Sequence, residues 1–273
     1  MPTTPEKVAA FRRLHQPGAP FIIANAWDAG SARILQGLGA KALATTSSGF
    51  ALTLGRKDYG VAREEALAHC RLVAGGVDIP LSADLENGFG LSPEDAAATI
   101  RMASEAGLAG GSIEDTSRVA ADPIIDKSLA IERISAAVEA ARAAGSGFVL
   151  TARAEGLLWG RGDLKEIIAR LQAFAEAGAD VLFAPGLPDL AAVKAVCSSV
   201  DKPVNVLVLA ALVRHNIEEF AAAGVARLSL GGALAFGAYG SLVETAEVIL
   251  RDGSFNALVG NREMTKRIKD ALA

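Results

Sequence analysis

Cysteine, histidine and the larger aromatics are scarce in this chain: two Cys, three His, two Trp and two Tyr in 273 residues. Each scarcity removes a class of protein. Cys70 and Cys197 cannot build a disulfide framework, and they lack the CxxC spacing of a thiolate metal site. His15, His69 and His215 fall in helical or pre-helical segments away from strand ends, where structural or solvated roles are expected. Basic charge is not in excess either. A formal net charge of −4 leaves no footprint for nucleic acid. The opening stretch "MPTTPEKVAAFRRLHQPGAP" has no apolar signal core, and no run reads as long enough to span a bilayer. A water-soluble, cytoplasmic protein without a membrane partner is the expectation.

What the chain does have is a hydrophobic fraction of 51%, enough to bury a large core in one domain. Short apolar or β-branched runs recur: "FIIANA" from Phe21, "ALATTS" from Ala42, "IPLSADLE" from Ile79, "GSIED" from Gly111, "FVLTARAE" from Phe148, "DVLFAPG" from Asp180, "PVNVLVL" from Pro203 and "RLSLGG" from Arg227. Between them lie helical patterns with start and stop signals. In "LSPEDAAATIRMASEAG", Ser92 is the N-cap, Pro93 the first helical residue, Asp95 the capping-box partner and Gly107 the stop. "DLKEIIARLQAFAEAG" repeats the scheme between Asp163 and Gly178. Continuous apolar strands alternating with amphipathic helices mean a parallel sheet covered on its faces.

Eight such units predict an α/β fold, a single (β/α)8 TIM barrel. A doubly wound open sheet is the alternative. It usually carries a glycine-rich phosphate turn after its first strand, and none follows Phe21–Ala26 here. No linker divides the chain, so residues 1–273 read as one domain, with an extra N-terminal helix and 254–273 as a C-terminal helical extension. In that extension Phe255, Leu258, Val259, Met264, Ile268 and Leu272 form an apolar stripe that either lies back on its own barrel or is buried on a neighbouring subunit.

A barrel places its chemistry at the carboxyl ends of its strands. The polar residues there are Asn25, Trp27 and Asp28; Thr46, Ser47, Ser48 and Gly49; Asp84 and Glu86; Glu114 and Asp115; Arg153 and Glu155; and Asn205. Asp84 and Glu86, two apart on a strand, are expected to point the same way, with Glu114 at similar height on the adjacent strand. Like charges this close raise each other's pKa unless a cation sits among them. With no His or Cys beside them, an all-oxygen set suits Mg²⁺ rather than zinc. The plainer reading pairs Asp84 with Arg153, makes Glu114 a helix cap and needs no metal. "TTSSGF" offers backbone N–H groups and hydroxyls for a carboxylate or phosphate, or is simply a turn. "GGALAFGAYG" could form a phosphate turn, but its glycines are read in preference as serving close packing.

Together, "NAWDAGSARI", "TTSSGFALTLGRKD", "SADLENGFG", "GSIEDT", "TARAEG", "GADVLFAPGL" and "GALAFGAYG" resemble the isocitrate lyase and phosphoenolpyruvate mutase superfamily over nearly the whole chain. The resemblance implies Mg²⁺ as cofactor, with Asp84 the direct ligand and Glu86 and Glu114 holding the metal largely through water. Asp58, in "LGRKD", matches another acid of that site and Arg153 the arginine facing the substrate; these two are expected to carry catalysis. Ser47, Ser48 and Gly49 fall where the family clasps the carboxylate of a 2-oxo acid, and Trp27 and Asp28 match a pocket-lining segment. A homotetramer, a dimer of dimers with swapped final helices, is also implied.

One departure is informative. The isocitrate and methylisocitrate lyases carry a Lys-x-Cys-Gly-His loop after strand four, whereas this chain reads "EDTSRVAADPIIDKSLAIERI". It does not match the mutases' gating loop there either. What remains resembles the decarboxylase-like subgroup. The expected function is therefore Mg-dependent cleavage of a C–C bond in a small 2-oxo acid, most simply an oxaloacetate-type decarboxylation through a metal-stabilised enolate. The alternatives are P–C chemistry on a phosphonate such as phosphonopyruvate, and a catalytically silent 2-oxo-acid-binding barrel.

Overall fold

The computed structural model describes every residue except Met1, Thr3, Asn261 and Ala273, so the outer domain limits at 1 and 273 and one position of the expected extension lie outside the described residues. Eight strands form the structural centre: β1 (Phe21–Ala26), β2 (Leu43–Thr45), β3 (Leu81–Asp84), β4 (Gly110–Glu114), β5 (Val149–Arg153), β6 (Val181–Phe183), β7 (Val204–Leu207) and β8 (Arg227–Ser229). All pair in parallel in chain order and β8 closes on β1, so the sheet is a barrel, and the open-sheet alternative falls. Each strand coincides with one of the apolar runs, because a strand buried on both faces has no polar alternation to show.

The helices are α1 (Thr4–Leu14), α2 (Ala29–Gly37), α3 (Ser47–Thr53), α4 (Arg63–Gly75), α5 (Pro93–Glu105), α6 (Lys127–Ala143), α7 (Leu164–Glu176), α8 (Leu190–Ser199), α9 (Ile217–Ala222), α10 (Ala233–Asp252) and α11 (Arg262–Leu272). Their starts follow the capping chemistry of the sequence. Ser92 Oγ accepts the Asp95 N–H at 3.1 Å while Asp95 accepts the Ser92 N–H at 3.2 Å, and Asp163 accepts from Glu166 N at 2.9 Å. On α7, Ile167, Leu171 and Phe174 are fully buried, and each contributes about 1.5–3 kcal/mol.

The extra N-terminal helix has a specific job. Val8 and Phe11 of α1 pack with Ile23, Ala42, Ala109, Val149 and Val181, at or near the amino ends of five strands, and so close the bottom of the barrel. At the other end of the chain, α11 lies back along α2, where Arg33 donates to the Leu272 carbonyl. Much of the C-terminal apolar stripe stays exposed, Val259 by 83% and Leu250 on α10 by 85%. By length and composition α10 is apolar enough to cross a membrane, which corrects the expectation that no run reaches that length. Its first turn nevertheless forms part of the barrel mouth, with Ala233 and Phe236 in the cavity wall described next.

Candidate active site

The carboxyl ends of the strands enclose a cavity of about 480 Å³. Arg153, the last residue of β5, organises its wall. Its Nη1 donates to Asp84 Oδ1 at 3.1 Å and forms an ion pair with Glu114 Oε1 at 2.8 Å, and its Nε donates to Glu155 Oε1 at 2.8 Å. Register explains the convergence: Glu114 pairs directly with Arg153 across β4–β5, and Asp84 pairs with Ser112 across β3–β4. Burial alone would lower the Arg153 pKa, but Glu114, Glu155 and Asp84 outweigh it and hold the guanidinium charged.

The acids remain in excess. Burial pushes Glu114 well above the usual carboxylate range; Arg153 opposes this, while Glu155, Asp84 and Glu86 add to it. Glu155 is raised in the same way, and its Oε2 is buried without a hydrogen-bond partner. Asp58 is raised by burial and by Asp84. One further layer out, Asp115 accepts the Glu155 N–H at 2.8 Å and Arg170 Nη1 at 3.4 Å, which fixes the strand end carrying Arg153. Asp115 therefore acts on Glu155, and Glu155 on Arg153.

Asp84 is held on both sides, with the Ser47 N–H donating to Oδ2 at 3.1 Å and its own N–H donating to Thr45 Oγ1 at 2.9 Å. Ser47 and Ser48 face the cavity together with Asp58 and Tyr59. The Tyr59 hydroxyl donates to Glu114 Oε2 at 3.2 Å, and burial together with Glu114 and Glu155 keeps the phenol protonated.

A profile of the phosphoenolpyruvate phosphomutase family matches residues 11–250. The chain belongs to that family. A Burkholderia cenocepacia J2315 protein of solved structure, provisionally described as a lyase/mutase, is 46% identical, superposes with a TM-score of 0.90 and covers 96% of this chain and 95% of its own. The 2-methylisocitrate lyase of Escherichia coli (strain K12) is 28% identical over 96% of this chain and 91% of its own length. Oxaloacetate decarboxylase 1 of Pseudomonas putida (strain W619) is 27% identical over 83% of this chain and 78% of its own. The family is one of lyases and mutases, and the chain is accordingly an enzyme.

Within this family member, some expected site residues sit elsewhere. Trp27 and Asp28 do not line the cavity: Asp28 caps α2, accepting the Ser31 N–H at 2.6 Å, and the Trp27 carbonyl meets His69 at 3.0 Å. Gly49 is buried and its N–H is spent on Thr46 Oγ1 at 3.3 Å. A Cβ at Gly49 would come within 2.6 Å of Thr46, 3.0 Å of Trp27 and 3.2 Å of Ala235, so the glycine serves close packing. Glu86 departs most. The strand ends at Asp84, and Glu86, with a left-handed backbone (φ 50°), is not among the residues lining the main cavity but shares a side hollow with Asp84. Glu86 pairs with Arg118, and burial raises it to about 7 against that pairing.

Arg118 was not legible as a site residue. It comes from the loop after β4, has φ 62°, and lies over the rings of Tyr59 (5.1 Å) and Phe89 (5.4 Å), which themselves have φ 61° and 60°. Four non-glycine residues in left-handed conformations thus meet at one edge of the site, a clustering of strain typical of functional positions. A second cation, Arg118, therefore stands beside the acids through its pairing with Glu86.

The donor set fits a hard divalent cation. Asp58, Asp84 and Glu114 offer only oxygen donors, and among the described residues no His or Cys lines the cavity. Among the described residues no three acids converge as a protein cage. A hard cation that keeps several waters, as Mg²⁺ does, would need only one or two of these carboxylates.

Proposed function

We propose that the protein is a Mg-dependent carbon–carbon lyase that decarboxylates a small 2-oxo acid of the oxaloacetate type. The observation that carries this reading is the cavity wall itself: Arg153 fixed among Asp84, Glu114 and Glu155, with neither thiol nor imidazole among the lining residues. Asp84 would hold the metal directly and Glu114 through water, with Glu86 acting from outside the cavity. Bound there, Mg²⁺ supplies Lewis-acid stabilisation of charge developing on the keto oxygen.

The remaining work falls to the chain. Loss of CO₂ from a 3-carboxylate needs no base to begin, so a loop without Cys or His is tolerable. Neither cysteine is suited to proton transfer: burial pushes the Cys70 thiol up to about 12 and the Cys197 thiol up to about 11. Arg153 contributes a fixed positive charge beside the 2-oxo-acid end, where charge develops on the keto oxygen. The Ser47 and Ser48 hydroxyls orient the acid end, and Leu158, Phe183 and Phe236 form an apolar side of the wall that limits water. P–C chemistry is less well supported, because the Leu230 and Gly231 N–H groups, which a phosphate turn would offer, are spent on Asn25 Oδ1 at 2.9 and 3.0 Å.

A Mg²⁺-supplemented panel of 2-oxo acids tests the reading. Pyruvate and CO₂ from oxaloacetate are expected. Phosphate or phosphoenolpyruvate from phosphonopyruvate would replace it with the P–C reading, and tight oxalate binding without turnover would replace it with the silent-barrel reading.

A further inference from the structure

The cavity does not end at the acids. It descends a layer into the barrel, between Ser82, Ser112 and Ser229, and reaches Arg227 at the start of β8. Barrel interiors are ordinarily filled at this depth by bulky branched side chains. Here the positions are small hydroxyls, and they leave room.

Arg227 is 5% exposed, and no acidic side chain pairs with it among the described residues. Its partners are all neutral. Nε donates to Asn205 Oδ1 at 2.8 Å, Nη2 to Thr151 Oγ1 at 3.1 Å, and Nη1 meets His15 Nε2 at 3.1 Å. His15 is held neutral by burial and by Arg227 itself, its pKa lowered to about 3, and its Nδ1 donates to the Phe11 carbonyl at 2.9 Å, so Nε2 is left as an acceptor. These three bonds leave two of the five N–H donors of a guanidinium for another acceptor. Burial and the like charge of Arg153 push Arg227 down to about 9, still charged at neutral pH. Buried charges are normally paired. This one is rigidly held and lacks an anion.

The spacing is defined by the strand. Thr151, which Arg227 touches, and Arg153 are two residues apart on β5 and project to the same side, so the contact point of Arg227 and the strand position bearing Arg153 are about one pleat repeat of 6.6 Å apart. A four- or five-carbon diacid spans such an offset.

We infer that Arg227 forms the floor of an anion subsite that takes the distal carboxylate of an extended dicarboxylate, whose 2-oxo-acid end lies at Asp84 and Arg153. The inference rests on the 2-oxo-acid reading for the upper end only. It makes chain length and a second carboxylate the specificity determinants of this enzyme.

Calorimetric titration of the Mg²⁺-loaded enzyme with 2-oxoglutarate and with 2-oxopentanoate, which differ only in the terminal carboxylate, tests it without turnover. The wild type should bind the diacid at least about tenfold tighter, the effect of one added hydrogen-bonded charge pair. Arg227→Gln should erase that ratio and leave 2-oxopentanoate within about twofold, while Arg227→Lys retains part of it. Equal affinity of the two acids for the wild type overturns the inference, whether or not the variants fold. An equal weakening of both acids in a folded Arg227→Gln also overturns it, since Arg227 would then be structural. If neither 2-oxo acid binds but succinate does, in an Arg227-dependent manner, the subsite stands and the 2-oxo-acid reading fails. If succinate fails as well, both fall.

Discussion

Replacing Arg153 with methionine keeps the length of the side chain and removes the charge that Asp84, Glu114 and Glu155 share. The Glu114 and Glu155 side chains are 2% and 0% exposed, so solvent cannot take over the role. Removing one partner of a buried ion pair costs about 3–5 kcal/mol, because the remaining charge is stranded. The loss must depend on pH. In the native variant both carboxyls, already raised by burial, rise further and hold protons, whereas in the unfolded chain they titrate near 4.5. The native state then binds more protons than the unfolded one, so stability falls as pH rises through that interval, by up to 1.36 kcal/mol per unit for each group. Urea denaturation should therefore show Arg153→Met less stable than the wild type by about 3–5 kcal/mol at pH 8. At pH 5.5 the deficit should shrink to about 1–2 kcal/mol, what lost hydrogen bonds alone would cost. A deficit that is the same at both pH values, or larger at pH 5.5, refutes the electrostatic account of this wall.

Two other outcomes follow from the same structure. His15 is neutral in the folded protein, with its pKa lowered from 6.5 to about 3, so the unfolded state gains a proton first and stability is lost as pH falls from 6.5 toward 3. His15→Gln should remove about one proton from the slope of stability against pH over that window, and an unchanged slope would show that His15 titrates normally. For the expected homotetramer, the exposed apolar faces of α10 and the C-terminal stripe are the surfaces to be covered. Static light scattering should give a mass several times the 28.0 kDa chain, and a monomer at micromolar concentration would contradict it.

The barrel was legible because its signals are local and repeated. Each strand is an apolar run, and caps such as Ser92 with Asp95 need only a few neighbouring residues to act. The site was legible in part, for a physical reason visible at Glu86. The rule that residues two apart share a face puts Glu86 beside Asp84 in the main cavity, but the strand ends at Asp84, and the left-handed Glu86 meets it only at a side hollow. Arg118 carried no signal, since a loop arginine is identified only by what it lies against. Asp28 looked like part of the pocket wall, but an aspartate before "AGSARI" is also what a helix N-cap requires, and that role won. Arg227 was read as the first residue of a strand, and nothing in "ARLSLGG" reveals that Ser229, with Ser82 and Ser112 on two other strands, leaves space above it.

The account depends most on Asp84 binding a divalent cation, and calorimetric titration of Mg²⁺ in the presence of oxalate tests this directly. The wild type should show one saturable site, and Asp84→Ala, with unchanged circular dichroism, should show none. Equal Mg²⁺ binding by the two proteins, or none by the wild type, would contradict the claim.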